Sequence, residues 1–190
     1  MTAEAIYRPI PVITTDRLVL RPFALEDAPK VQQLAGAREV AAVTSHIEHP
    51  YPDGAAALWI ATHAPEFDRG DGIVEAITRR ATGELIGAIG LTVEPPHKRA
   101  ELGYWIGVPY WGQGYCTEAA RALLDYGFGV MGLRRIYARH YGSNPASGRV
   151  MQKLGMRPEG VLREHDLKWG RIEDDVYYGL LRRDWEQSTA

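Results

Sequence analysis

The chain of 190 residues has a single cysteine, Cys116, so it can close no internal disulfide and offers no multi-cysteine metal site. An excess of either charge is also missing. The 22 basic and 24 acidic side chains leave a formal net charge of −2, and no global positive field gathers nucleic acid or anionic lipid. No apolar run approaches the roughly 18–20 residues that span a bilayer. The opening residues, Met1 to Ile6, lack a basic segment followed by an apolar stretch, so no signal peptide is read. A cytoplasmic protein with neither nucleic-acid nor membrane partners is expected. Repeats and low-complexity tracts are absent, and the 12 prolines and 20 glycines are scattered, which leaves no linker. What is present is a 45% hydrophobic chain long enough for one full core. Residues 1–190 therefore read as one domain with its core at about 15–185.

Polar and apolar residues alternate over 17–22 and stop at Pro22, which reads as a first strand. Glu26 and Asp27 suit the first turn of a helix running to Leu34. Asp53 is placed to cap a second helix, whose stripe is read as Ala57, Leu58, Ala61 and Ala64. From Ile73 the period changes. Strands are expected over 73–77 and 84–91, joined by a turn at Thr82-Gly83, and a third over 100–108. A long helix over 113–129 should bury Ala119, Ala120, Leu123, Leu124 and Phe128. A short strand over 136–140 and a helix over 145–154 follow, with Pro145 in its first turn and Gly155 past its end. Two last strands, 161–167 and 174–181, can pair across Gly170. Hairpins first and strand–helix units afterwards predict an α/β (α+β) fold. Its sheet is mixed and mostly antiparallel, of six to seven strands, with helices on both faces.

The stretch with the most chemical content joins the third strand to the long helix: Glu101-Leu-Gly-Tyr-Trp-Ile-Gly-Val108, then Pro109-Tyr-Trp-Gly-Gln-Gly-Tyr-Cys116 and Thr117. A glycine-bearing turn that opens a helix directs its own amides, and the unpaired ones of the first helical turn, at one spot. That spot suits a diphosphate. Gly112 and Gly114 keep side chains out of the approach. The dinucleotide fingerprint lacks its third glycine and the triphosphate loop lacks its lysine, so neither nucleotide class is expected.

Trp111-Gly112-Gln113-Gly114-Tyr115-Cys116 resembles the Q/R-x-x-G-x-G/A acyl-CoA signature of the GCN5-related N-acetyltransferases. The surrounding Gly-Tyr-Trp-Ile-Gly-Val-Pro-Tyr-Trp-Gly-Gln-Gly-Tyr-Cys-Thr-Glu-Ala is similar to their ribosomal-protein N-terminal acetyltransferase branch. The likeness runs from Thr15 to Trp185. Trp111 departs from the leading Gln/Arg, and Cys116 from the small final residue. The resemblance implies acetyl-CoA as co-substrate, an amine as acceptor and no metal. It also implies two central strands that splay apart, with the pantetheine arm between them and Asn144 touching it. Coenzyme-binding residues are then expected at Trp105, Ile106, Val108, Gly112, Gln113, Gly114, Tyr115, Cys116, Thr117 and Asn144.

Amide formation from a thioester needs an unprotonated amine, a stabilised carbonyl oxygen and a departing sulfur. A protein α-amine titrates near ~8 and a lysine near ~10.4, so a base helps without having to be strong. Glu101 is the candidate base. Alternation places it on one face with Gly103, Trp105 and Gly107, and its position resembles that of the general-base glutamate of the histone-acetylating branch. The other reading of Glu101 is an ion pair with Arg99 or another cation. A backbone N–H near Trp105 or Ile106 would receive the developing oxyanion. The family often places a tyrosine acid seven residues after the asparagine, but that position is Met151 here. Ser147, one helical turn beyond Asn144, is the candidate acid, with an unaided thiolate or Tyr141 as alternatives. Asn144 and Ser147 also read as helix-capping residues, and His140 as the end of a strand. The resemblance implies direct attack in a ternary complex, with no acyl-enzyme on Cys116.

Acceptor choice is expected in the loop 43–53, where His46 and His49 read as solvated, and in the hairpin 167–175. A protein N-terminal α-amine, an amino acid, a polyamine and a drug all stay open as acceptors, a longer acyl-CoA stays open as donor, and so do a monomer and a homodimer. The alternative to an enzyme is a non-catalytic acyl-CoA-binding sensor on the same fold.

Overall fold

The computed structural model describes residues 10–189; the segment read above for a targeting signal, residues 1–6, lies outside the described residues. Its strands are β1 (Ile13–Thr14), β2 (Leu18–Pro22), β3 (Gly72–Arg79), β4 (Leu85–Glu94), β5 (Arg99–Ile106), β6 (Arg135–Tyr141), β7 (Arg157–Lys168) and β8 (Arg171–Leu181). Its helices are α1 (Ala28–Ala35), α2 (Arg38–Ala42), α3 (Ala55–Arg69), α4 (Tyr115–Gly129), α5 (Pro145–Lys153) and α6 (Arg182–Thr189). The eight strands make one sheet in the order β1-β2-β3-β4-β5-β6-β8-β7. All neighbours are antiparallel except β5 and β6. The strand beyond the expected six to seven is β1, whose two-residue pairing with β2 is too short for periodicity to reveal.

The stripe expected for the long helix is buried as read: α4 seals Ala119, Ala120, Leu123, Leu124 and Phe128. They pack with Leu18, Leu20, Ile73, Ile77, Leu91 and Ile136 into the larger core. Each such leucine, isoleucine or phenylalanine contributes about 1.5–3 kcal/mol on burial. A second cluster, with Val31, Leu34, Ala56, Ile60 and Ala76, packs α1 and α3 against β3.

Helix α3 corrects two expectations. Its N-cap is Gly54 in a left-handed conformation, while the Asp53 carboxylate accepts from Gln32 Nε2 at 2.9 Å. Its buried face is Ala56, Ile60 and His63, whereas Ala61 and Ala64 are exposed and Leu58 is 74% exposed. Alanine has little burial preference, so its spacing misplaced the stripe. The true stripe contains a histidine that an apolar pattern does not score.

Two of the buried ionisable side chains lie in the interior without any hydrogen-bond partner among the described residues, Glu75 on β3 at both carboxylate oxygens and His63 at both ring nitrogens. Burial pushes Glu75 up to about 8, against the opposing pull of the Arg21 guanidinium. Burial lowers His63 to about 4, and its ring packs edge-on against Trp59 at 4.4 Å.

The feature that positions the site is the β5–β6 pair. The two strands are in register only at Arg99↔Arg135, Ala100↔Ile136 and Glu101↔Tyr137. Strand β5 continues to Ile106 and β6 to Tyr141, so beyond Glu101 they part, which is the splay expected from the resemblance.

Candidate active site

Two cavities meet in that gap. One, of about 350 Å³, is lined by β5, the turn before α4, the start of α4 and one side of α5. The other, of about 470 Å³, is floored by the facing side of the sheet at Val74, Ala88, Gly90, Gly103 and Glu101 and walled by the 43–52 loop. Tyr104, Trp105 and His140 line both. Alternation along β5 explains the division, because Glu101, Gly103 and Trp105 point to one face and Leu102, Tyr104 and Ile106 to the other.

In the smaller cavity, Gly112 and Gly114 have φ of 74° and 80°. Both need glycine for that left-handed backbone. A Cβ at Gly112 would meet nothing within 4 Å, so open space lies in front of it, while one at Gly114 would meet Arg17 Nη2 at 3.5 Å. The first bond of α4 runs from the Glu118 N–H to the Gly114 carbonyl. The amides of Tyr115, Cys116 and Thr117 thus emerge from the helix end with its positive dipole. Arg17 braces this turn: its Nε lies 2.6 Å from Glu118 Oε2, its Nη1 donates to the Gln113 carbonyl at 3.1 Å, and its guanidinium covers the Tyr115 ring.

Asn144 is the N-cap of α5, its Oδ1 accepting from the Ser147 N–H at 3.3 Å. The Ser147 hydroxyl is 2.8 Å from the Tyr104 hydroxyl. Burial holds the Tyr104 phenol well above its ordinary value. Met151 is buried in the core, so the position of the family tyrosine brings no hydroxyl to the cavity. Burial also pushes the Cys116 thiol up to about 12, which disfavours a thiolate nucleophile there.

In the larger cavity Glu101 pairs with Arg139, Nε to Oε1 at 3.3 Å; Arg99 is instead taken by Glu94 at 2.7 Å. The Arg139 guanidinium also bonds Asp166 at 3.0 Å and the buried Asp175. Burial opposes its charge, but these hydrogen bonds outweigh burial and push its titration upward. Tyr141 lines this cavity only, away from the α4 turn. From the 43–53 loop, His46 lines the cavity, while His49 Nδ1 lies 3.1 Å from the Gly36 carbonyl. The hairpin meets the loop through Lys168 Nζ, which donates to the Ile47 carbonyl at 3.0 Å, and contributes Asp175 to the wall.

The structure therefore gathers Trp105, Ile106, Gly112, Gly114, Tyr115, Cys116, Thr117, Asn144 and Ser147 around one cavity, with Glu101 across the gap. Val108 and Gln113 are not in the lining. Val108 lies in a tight turn with Pro109 and Tyr110, and the Gln113 amide folds back onto the Pro109 carbonyl at 3.1 Å. Sequence reasoning missed Tyr104, Arg17, Arg149 and Lys153. The signal for Tyr104 is alternation along β5, which sets it on the face opposite Glu101, and the last two lie four apart on α5, a spacing that shares one face.

Residues 17–157 match the family model described as Acetyltransferase (GNAT) domain. The chain is 35% identical over 173 residues to the Bacillus subtilis (strain 168) uncharacterized N-acetyltransferase YoaA, covering 90% of this chain and 97% of that protein. It is 37% identical over 99 residues to the Escherichia coli (strain K12) ribosomal-protein-serine acetyltransferase, covering 52% and 55%. Among solved structures, an acetyltransferase of the GNAT family from Bacillus anthracis superposes with a TM-score of 0.81 at 26% identity, covering 91% of this chain and 99% of that one.

Proposed function

The chain belongs to the GNAT acetyltransferase family, and on that footing we propose that it transfers an acetyl group from acetyl-CoA to a primary amine by direct attack. The observation that carries this reading is the gap between β5 and β6, where an anion-ready helix end and a second cavity meet at Tyr104 and Trp105. The amides of Tyr115, Cys116 and Thr117 and the turn at Gly112 and Gly114 suit the pyrophosphate. Arg149 and Lys153 add positive charge to the same lining. Past Glu101 the β6-facing edge of β5 has no registered strand partner, which leaves room for the pantetheine arm beside Asn144.

The acetyl group then lies at the junction. An amide around Trp105 or Ile106 receives the oxyanion, a type of contact worth about 3–4 kcal/mol in other acyl transfers. The amine enters from the larger cavity and gives up its proton toward Glu101, directly or through water. As the new C–N bond forms and the C–S bond breaks, Ser147 donates a proton to the sulfur and regains one from solvent water through its hydrogen bond to Tyr104, so that neither hydroxyl is left ionised. A protein N-terminus is one candidate acceptor, supported by the ribosomal-protein acetyltransferase among the relatives.

Mixing the protein with acetyl-CoA and a panel of primary amines and N-terminal peptides should release CoA in step with N-acetylated product. Tight acetyl-CoA binding with no release on any amine would favour a binding module instead. Gly114→Asp should weaken acetyl-CoA binding about tenfold by forcing a side chain onto a left-handed backbone and turning its carboxylate toward Arg17, the residue that braces the turn. Calorimetry checks this, and an unchanged Kd removes the phosphate assignment.

A further inference from the structure

Three carboxylates, Glu48, Glu101 and Asp175, line the larger cavity against one guanidinium, that of Arg139. Arg139 is already shared among Glu101, Asp166 and Asp175. A metal could be imagined at His165, Asp166 and Asp175, whose ligand atoms lie within 4.8 Å of one another. However, the guanidinium bonds both aspartates and already supplies the positive charge there. One acceptor is left over. Asp175 is fully buried, it lines the cavity, and its Oδ1 has no hydrogen-bond partner among the described residues. A buried carboxylate oxygen without a donor is unfavourable and calls for one.

The reacting amine is committed to Glu101 and to the thioester carbon, so it cannot also serve Asp175. Nor does Asp175 stand at the junction. It lies on β8 opposite Tyr141, with β6 between it and β5, and is linked to Glu101 only through the shared Arg139 guanidinium. Glu48, exposed on the loop, adds a second negative charge to the same cavity. The same cavity is also lined by the aromatic rings of Tyr51, Trp59 and Trp105, which suit an alkyl chain.

We propose that the acceptor carries a second, permanently protonated nitrogen, and that Asp175 accepts from it while the reacting amine reaches Tyr104 and Trp105. This rests on the acetyltransferase reading above and narrows its substrate class to amines with a distal cation. A free diamine and a peptide N-terminus followed by a lysine both have that chemistry.

The test is calorimetry on the intact chain with CoA present, so that no turnover intervenes. α,ω-Diaminopentane is compared with pentylamine, and an N-terminal peptide carrying lysine at its second position with the same peptide carrying glutamine. The cationic member of at least one pair should bind about tenfold tighter. That preference should shrink in Asp175→Asn, and the exposed Glu48→Gln gives the same reading should the buried variant not fold. Rising salt should erode it as well. Preference in the diamine pair, in the peptide pair or in both supports the second cation and identifies its source. Equal affinities in both pairs, or a preference unmoved by both variants, overturns it. Acetylation of pentylamine without any such preference would sink this inference alone and leave the enzyme reading intact. Preference without acetylation would do the reverse.

Discussion

Glu101→Gln is expected to slow acetyl transfer at neutral pH by about 100-fold, the lower end of what a positioned base contributes. The substitution keeps the shape of the side chain and removes its ability to take a proton. Arg139 stays anchored by Asp166 and Asp175, so the wall of the cavity survives the loss of one partner. Acetyl-CoA affinity should not change, because Glu101 lines the larger cavity and not the one at the α4 turn. The deficit should narrow as pH rises toward the amine's own pKa, about 8 for a protein α-amine, where the nucleophile deprotonates unaided. Steady-state rates from pH 6 upward, with parallel binding titrations, decide it. A variant as fast as the parent would reduce Glu101 to an ion-pair partner of Arg139.

Glu75→Gln should stabilise the protein at neutral and alkaline pH. The native state raises this carboxyl from 4.5 to about 8, so between those limits the folded chain holds a proton that the unfolded chain has released. Stability therefore falls as pH rises through that window. At pH 7 the penalty is on the order of 3 kcal/mol, using about 1.4 kcal/mol per unit. Glutamine cannot ionise and should recover about 2 kcal/mol of it, the amide's own unmet hydrogen bonds taking the rest. His63 acts in the opposite sense. Its folded value is depressed from 6.5 to about 4, so its contribution strengthens as pH rises between those values. Below about 6.5 the two slopes oppose each other, and above it the Glu75 slope stands alone. Chemical denaturation of both proteins between pH 6.5 and 8 is the measurement. A variant with the parental slope, or less stable at pH 8, would show that Glu75 is not the buried acid described here.

Legibility in the sequence followed the strength of the physical signal. The stripe of α4, the glycine turn and the hairpin strands each combine periodicity with a breaker, and each was found in place. Helix α3 was misread because alanine spacing is nearly neutral and His63 breaks the apolar pattern. Helices α2 and α6 were not anticipated, the first being a five-residue turn and the second largely polar. In the site, the backbone-based portion was readable because glycines declare their φ. The side-chain partnerships were not. That Glu101 faces Arg139, or that Tyr104 meets Ser147, depends on residues 38 and 43 positions apart brought together by the β5–β6 gap.

That gap also separates two kinds of evolutionary freedom. In the proposed reaction, thioester and amine arrive from opposite faces of the sheet, so a bulky guest need never pass through the groove proposed for the coenzyme. The loop from Val43 to Asp53 and the β7–β8 hairpin can drift in shape and charge, and so change which molecules are modified, while the α4 turn keeps the same donor in hand.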